Sequence, residues 1–168
     1  MNTIFLGMGT NLGDRQQNLQ RAVDGLAAGM TITAVSQLYE TPPWGVDEQP
    51  AFFNMCLAAN TMQTPDQLLP FIKNLEKKIG RTPTYHWGPR LIDIDILFYN
   101  NDIIIEPDLT VPHLHMANRA FVLAPLADIA LDFLHPQTGK SVEQMLDAVD
   151  KMGIRPLPNT TSRIPSKA

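Results

Sequence analysis

The segment RLIDIDILFY constrains this chain more than any other, because it sets isoleucine and aspartate in strict alternation at Ile92, Asp93, Ile94, Asp95 and Ile96. Period-two alternation is the signature of a strand with one buried face. The isoleucines are therefore expected in a core, and the two aspartates together on the opposite face, roughly 7 Å apart. Two anions held side by side repel unless a proton or a cation lies between them. Oxygen-only ligands on a rigid strand suit magnesium, above all magnesium shared with phosphates. The plainer reading is a sheet surface on which both aspartates face water. Against it stand Arg81, Arg90, His113, His115 and Arg119, gathered in two flanking segments of a chain with only 13 Lys and Arg. Cations around a metal-binding pair describe a polyphosphate site.

At 168 residues, 44% hydrophobic and 18% charged, the chain is expected to form one domain over residues 1–158, followed by a polar tail over 159–168. A net charge of -4 argues against a general nucleic-acid binder. The N-terminus MNTIFLGMG lacks a basic start and a long apolar run, and no segment is apolar enough to span a bilayer, so a cytoplasmic protein is expected. Cys56 sits in the apolar run FFNMCLAAN and reads as a buried, inert thiol.

Periodicity gives a strand over Thr3–Met8, then a helix carrying Leu19, Ala22, Val23 and Leu26 behind a capping pair, Asp14 and Gln17. Strands follow over Thr31–Tyr39 and Phe52–Thr61, separated by the proline-rich loop YETPPWGVDEQP. Leu68, Ile72, Leu75 and Ile79 mark a second helix that ends at Gly80, with Glu76 at the edge of its apolar face. Beyond the aspartate strand, Met116–Ile129 reads as a helix broken by Pro125, and Val142, Met145, Leu146 and Val149 as a last helix. Two adjacent strands without an intervening helix favour an α+β, ferredoxin-like sandwich with a mainly antiparallel sheet over a doubly wound one. No GxxxxGK[ST] occurs, and in the run from Gly7 the third glycine of a GxGxxG falls one place late, at Gly13, with Leu12 where it should stand. Side chains and metal must then hold any triphosphate.

Six motifs in order, LGMGTNLGD, YETPPWG, QPAFFN, GR, WGPRLIDIDILFY and VPHLHMANRAFVLAPL, resemble the 6-hydroxymethyl-7,8-dihydropterin pyrophosphokinase family from about Phe5 to Ile129. The resemblance implies transfer of the pyrophosphoryl group of ATP to the hydroxymethyl oxygen of the pterin, releasing AMP. It implies two magnesium ions on Asp93 and Asp95, with Arg81, Arg90, His113 and Arg119 on the phosphates as ligands or transition-state stabilisers. Phe52 and Phe121 match the pterin-stacking positions and Asn54 the edge-recognising amide. Thr41, Pro42 and Trp44 match the pocket loop, and Glu76 a pocket-edge carboxylate. Adenine is read through backbone groups, expected near Ile96 and Thr110. By the same analogy Trp87 and Trp44 belong to loops that close over both substrates, and the chain is a monomer. Each residue has an ordinary reading as well. An arginine after a helix-terminal glycine caps that end, Arg90 can simply pair with Asp93, and phenylalanines are more often core. The chain departs from the family in the segment Thr82–His86, shorter by one residue and poorer in cations, in Pro107 and Asp108 where a basic residue is expected, and in Leu114 where an aromatic is common. Two other classes fit the same aspartate pair: a small-molecule sensor without turnover, and a metal-dependent phosphohydrolase or nuclease.

Overall fold

The computed structural model describes residues 1–43, 48–86 and 88–157. Trp44, Trp87 and the expected tail 159–168 lie outside the described residues. Strand β1 (Asn2–Thr10) leads into helix α1 (Arg15–Ala27), which Asp14 caps by accepting the Gln17 N–H at 3.0 Å. Strands β2 (Thr31–Val35), β3 (Leu38–Thr41) and β4 (Phe52–Thr61) follow, then helix α2 (Pro65–Ile79) and strand β5 (Asp93–Tyr99). The remainder is a hairpin of β6 (Ile104–Glu106) and β7 (Leu109–Val111), helices α3 (Ala120–Ala130) and α4 (Val142–Asp147), and strand β8 (Arg155–Leu157).

The main sheet has the order β5-β1-β4-β3-β8, with β2 also paired to β4. Among the described residues its strands pair antiparallel throughout. This is the α+β, ferredoxin-like sandwich expected from the order of periodicities.

Two cores lie on opposite faces of the sheet. Ile4, Leu6, Met8, Ile92, Ile94 and Ile96 point toward α1 and α2, where Leu19, Leu26, Leu68 and Ile72 meet them fully buried. Phe5, Cys56, Leu97 and Phe98 face α3 and α4 through Val122, Leu123, Leu126 and Met145. Strict alternation along β5 fails at one point. Leu6 opposes Ile96 and Phe5 opposes Phe98, so Leu97 is an extra residue in a bulge, and Leu97 and Phe98 both join the second core. The second core therefore covers one half of its sheet face and leaves the half bearing Gly7, Gly9, Asn54, Asp93 and Asp95 open to a cavity.

Three local expectations are revised. The strand expected over Thr31–Tyr39 is two strands, because buried Ser36 interrupts it: its backbone N–H donates to Cys56 and its hydroxyl accepts the Cys56 N–H at 2.9 Å. Pro125 does not break α3. A proline inside a helix costs about 3 kcal/mol, and burial of Val122, Leu123 and Leu126 offsets it at about 1.5–3 kcal/mol each. The helix expected from Met116 is instead a 3-10 turn, Met116–Asn118, then extended Arg119 (φ -117°, ψ 103°), then α3. Arg119 thus stands outside the regular helix, at its start.

Candidate active site

Three strands build the floor. In register, Gly7 lies opposite Asp95 on one side and Cys56 on the other, and Gly9 lies between Asp93 and Asn54. Gly9 is needed for space and not for turning, since a Cβ there would stand 2.6 Å from the Asn54 side-chain oxygen. Above this floor lies a cavity of about 680 Å³, counted to its open mouth, whose walls include Thr41, Pro42, Phe52, Asn54 and Phe121. The Asn54 amide donates to the Thr41 hydroxyl, with both residues buried. That bond fixes which way the amide faces. Two phenylalanines and one oriented amide make a pocket for a flat, polar heterocycle.

A second cleft, of about 1010 Å³, runs from the same centre and is lined by Arg81, Arg90, His113, Arg119 and the segment Thr82–His86. Arg90, Asp93, Asp95 and Arg119 line both cavities. The acidic pair therefore stands at a junction between an apolar pocket and a cation-lined cleft.

The two aspartates differ in their surroundings. Asp93 accepts from Arg81 Nη1 at 2.9 Å and from Arg90 Nη1 at 3.2 Å. Asp95 faces the His113 Nε2 atom at 3.8 Å, beyond hydrogen-bond distance. A third of its side chain meets solvent, but it lies in a concave site where water screens poorly. Burial first, and then the Asp93 charge, push its carboxyl up to about 7, with Lys73 and Arg119 opposing.

His113 is shifted the other way, down to about 4, by burial and by the charges of Arg119 and His115. It is thus neutral at pH 7. Its Nδ1 atom accepts the His115 N–H at 3.3 Å, which leaves the proton on Nε2, the nitrogen on the Asp95 side. A neutral donor in that place can bind an anionic oxygen without serving as an acid.

Among the described residues no group of three or more His, Cys, Asp or Glu encloses a metal ion. A resident cage is therefore not what this donor set offers. Two neighbouring carboxylates that leave most of a coordination shell to water and phosphate oxygens fit magnesium.

The structure brings together Thr41, Pro42, Phe52, Asn54, Arg81, Arg90, Asp93, Asp95, His113, Arg119 and Phe121. It does not bring Glu76 to either cavity. That side chain is only 2% exposed and lies behind β5, so the pocket-edge placement is corrected: helix α2 buries it against Arg81 and the backbone of Ile94. Ile96 turns its side chain into the first core, and Thr110 lies on the β6–β7 hairpin; neither lines either of these two cavities. Cys56 is buried as expected, with burial pushing its thiol up, although it also lies along the pocket floor.

Sequence reasoning missed Asn11. Its amide donates to the Gln49 side chain at 2.8 Å and to the Pro50 carbonyl at 3.0 Å, while its oxygen accepts the Arg90 N–H at 2.9 Å. One buried side chain thus ties the end of β1 to both site loops. His115 lines the cation-rich cleft with the other flanking cations, as the sequence implied, whereas Tyr85 and His86 were missed there. Nothing in the spacing of these residues marks them, because their partners are distant in the chain.

Comparison with solved structures supports the fold. The wild-type HPPK-DHPS of Plasmodium falciparum with pteroate superimposes at a TM-score of 0.73 with 17% identity, over 87% of this chain and 44% of that one. The A437G variant of the same protein with SDX-DHP gives 0.72 at 19% identity, over 87% and 45%.

Sequence comparison goes further. The family model for 7,8-dihydro-6-hydroxymethylpterin-pyrophosphokinase matches residues 5–131. The 2-amino-4-hydroxy-6-hydroxymethyldihydropteridine pyrophosphokinase of Methylorubrum extorquens is 41% identical over 156 residues, covering 92% of this chain and 98% of that protein. The protein of the same name from Bacillus subtilis is 40% identical, over 85% and 87%. The folic acid synthesis protein FOL1 of Dictyostelium discoideum is 44% identical over 80% of this chain, which spans only 20% of that longer protein. The chain belongs to the 7,8-dihydro-6-hydroxymethylpterin-pyrophosphokinase family. It is an ATP-dependent pyrophosphokinase.

Proposed function

We propose that this chain transfers the terminal pyrophosphoryl group of ATP to the hydroxymethyl oxygen of 6-hydroxymethyl-7,8-dihydropterin, a step of folate biosynthesis that yields AMP and the pterin diphosphate. The observation that carries this reading is the junction: Arg90, Asp93, Asp95 and Arg119 line the aromatic pocket and the cationic cleft alike. An acceptor in the first and a triphosphate in the second meet at the acidic pair. The pterin hydroxyl oxygen bonds to the β-phosphorus, the bond from that phosphorus to the α,β-bridging oxygen breaks, and AMP departs with the bridging oxygen. The hydroxyl proton leaves to solvent.

Phe52 and Phe121 stack the heterocycle, Asn54 reads its edge, and Thr41 and Pro42 close its side, with Trp44 and Trp87 assigned to the loops over both substrates. Arg81, Arg90, Arg119 and neutral His113 hold phosphate oxygens where charge builds up. Backbone groups near Ile96 and Thr110 are assigned to adenine. Asp93 and Asp95 would hold two magnesium ions, which would supply positive charge against the triphosphate. For the chain's own residues, catalysis is then positioning plus electrostatics.

Among the described residues no helix is long and apolar enough to cross a membrane, and we assign the enzyme to the cytoplasm as a monomeric catalytic domain over residues 1–158. An AMP-release assay with ATP and magnesium, run with and without hydroxymethyl-dihydropterin, tests the assignment. AMP that forms only with the pterin supports it. Phosphate release without the pterin favours a hydrolase, and binding without turnover a sensor.

A further inference from the structure

Glu76 lies outside both cavities, yet it is among the most completely buried charged residues of the chain and three groups converge on it. The end of α2 puts it there. Gly80 adopts the left-handed conformation (φ 118°), and the N–H groups of Gly80 and Arg81 both return to the Glu76 carbonyl, at 3.2 and 3.0 Å. This reversal folds Arg81 back over its own helix, so that its Nη1 atom donates to Glu76 Oε2. The same oxygen accepts the Ile94 N–H at 3.0 Å, while Oε1 faces the Lys73 ammonium at 3.2 Å.

Ile94 is the residue between Asp93 and Asp95, on a strand that among the described residues pairs in the main sheet only with β1. An edge strand leaves alternate N–H groups without a ladder partner. Glu76 supplies for Ile94 the acceptor that a neighbouring strand would have supplied.

We propose that Glu76 is a positioning residue of the metal and phosphate centre: it fixes the backbone between the two aspartates and anchors Arg81 beside them. This rests on the assignment of Asp93 and Asp95 as the metal-holding pair. Arg81 Nη1 is shared between Glu76 and Asp93 Oδ1, the latter at 2.9 Å. When Asp93 turns its oxygens to a divalent cation, Arg81 keeps a buried carboxylate partner and stays at the wall of the polyphosphate cleft. Without the Glu76 charge, Arg81 depends on Asp93 alone and competes with the cation for it.

Glu76→Gln is the test, since glutamine keeps an oxygen for the Ile94 N–H and removes only the charge. Mn2+ binding is followed by electron paramagnetic resonance in the presence of a non-hydrolysable ATP analogue. The expected result is Mn2+ affinity weakened about tenfold or more, with a raised KM for MgATP and an unchanged KM for the pterin. A merely structural role would lower the melting temperature and leave that split absent. Folded Glu76→Gln with unchanged Mn2+ affinity and unchanged KM for MgATP overturns the proposal.

Should the variant not fold, amide exchange of Ile94 in the unmodified protein reads the contact directly. Slow exchange, like that of the amides paired with β1, supports the proposal, and the fast exchange of an unpaired edge amide overturns it. An unmodified protein that binds no Mn2+, or Asp95→Ala binding it equally well, refutes instead the assignment of the aspartates.

Discussion

At the scale of single residues, the site depends on what is absent as much as on what is present. Gly9 has no side chain because Asn54 occupies that space, a Cβ there falling 2.6 Å from the amide oxygen. Gly9→Ala must push Asn54 off its bond to Thr41, and we expect a loss of about 1–3 kcal/mol of stability, read by denaturant titration, with a raised KM for the pterin. An unchanged KM would remove Asn54 from pterin recognition. Asp95 carries the opposite lesson. Its side chain points away from both cores, so Asp95→Ala is expected to abolish AMP formation while circular dichroism and melting remain those of a folded protein. Residual turnover near that of the parent would defeat the metal assignment. The aspartates were legible in the sequence because strand alternation fixes which residues share a face. Glu76 was not, because helix periodicity places it at the margin of an apolar stripe and does not reveal that Arg81 and Ile94 await it there.

Secondary-structure elements were read well where a hydrophobic period ran without interruption, as in β4, α2 and the start of β5, and less well where a tertiary contact intervened. Ser36 divides β2 from β3 through its bonds to Cys56, 20 residues away. The bulge at Leu97 turns two successive residues into one core, which no alternating pattern announces. The loops around the site are held by contacts of the same long-range kind. Asn11→Ala would leave the Arg90 N–H and the Pro50 carbonyl without their partner at once, and we expect a cost of about 1–3 kcal/mol. Steady-state kinetics should show KM rising for both substrates, since one side chain ties the loop before β4 to the loop before β5. A rise for only one substrate would show that the loops move independently of Asn11.

Across the whole molecule, the two cores divide the work. The one under α1 and α2 spans the sheet, whereas the one under α3 and α4 stops short and leaves the site open. His135 belongs to the closed end, buried beside Phe98 with ring centroids 5.8 Å apart, its Nδ1 accepting the Gln137 N–H at 3.2 Å. Burial holds its pKa below the usual 6.5. The sign follows: on acidification the unfolded chain takes the proton first, so this contribution to stability is complete above 6.5 and is lost as pH falls through 6.5 toward the lower folded value. His135→Gln should flatten that part of the acid limb in denaturant titrations over a pH series. An identical limb would assign it to other groups.

From its amino acids alone, the chain determined those strands and helices whose hydrophobic period runs unbroken, its α+β class and the identity of the acidic pair, because hydrophobic period and side-chain alternation are local properties. Only the tertiary structure decided that the pair would stand where two cavities meet, that Asn11 would knot the loops, and that Glu76 would lie behind β5, because those depend on contacts between residues 18 to 79 positions apart in sequence.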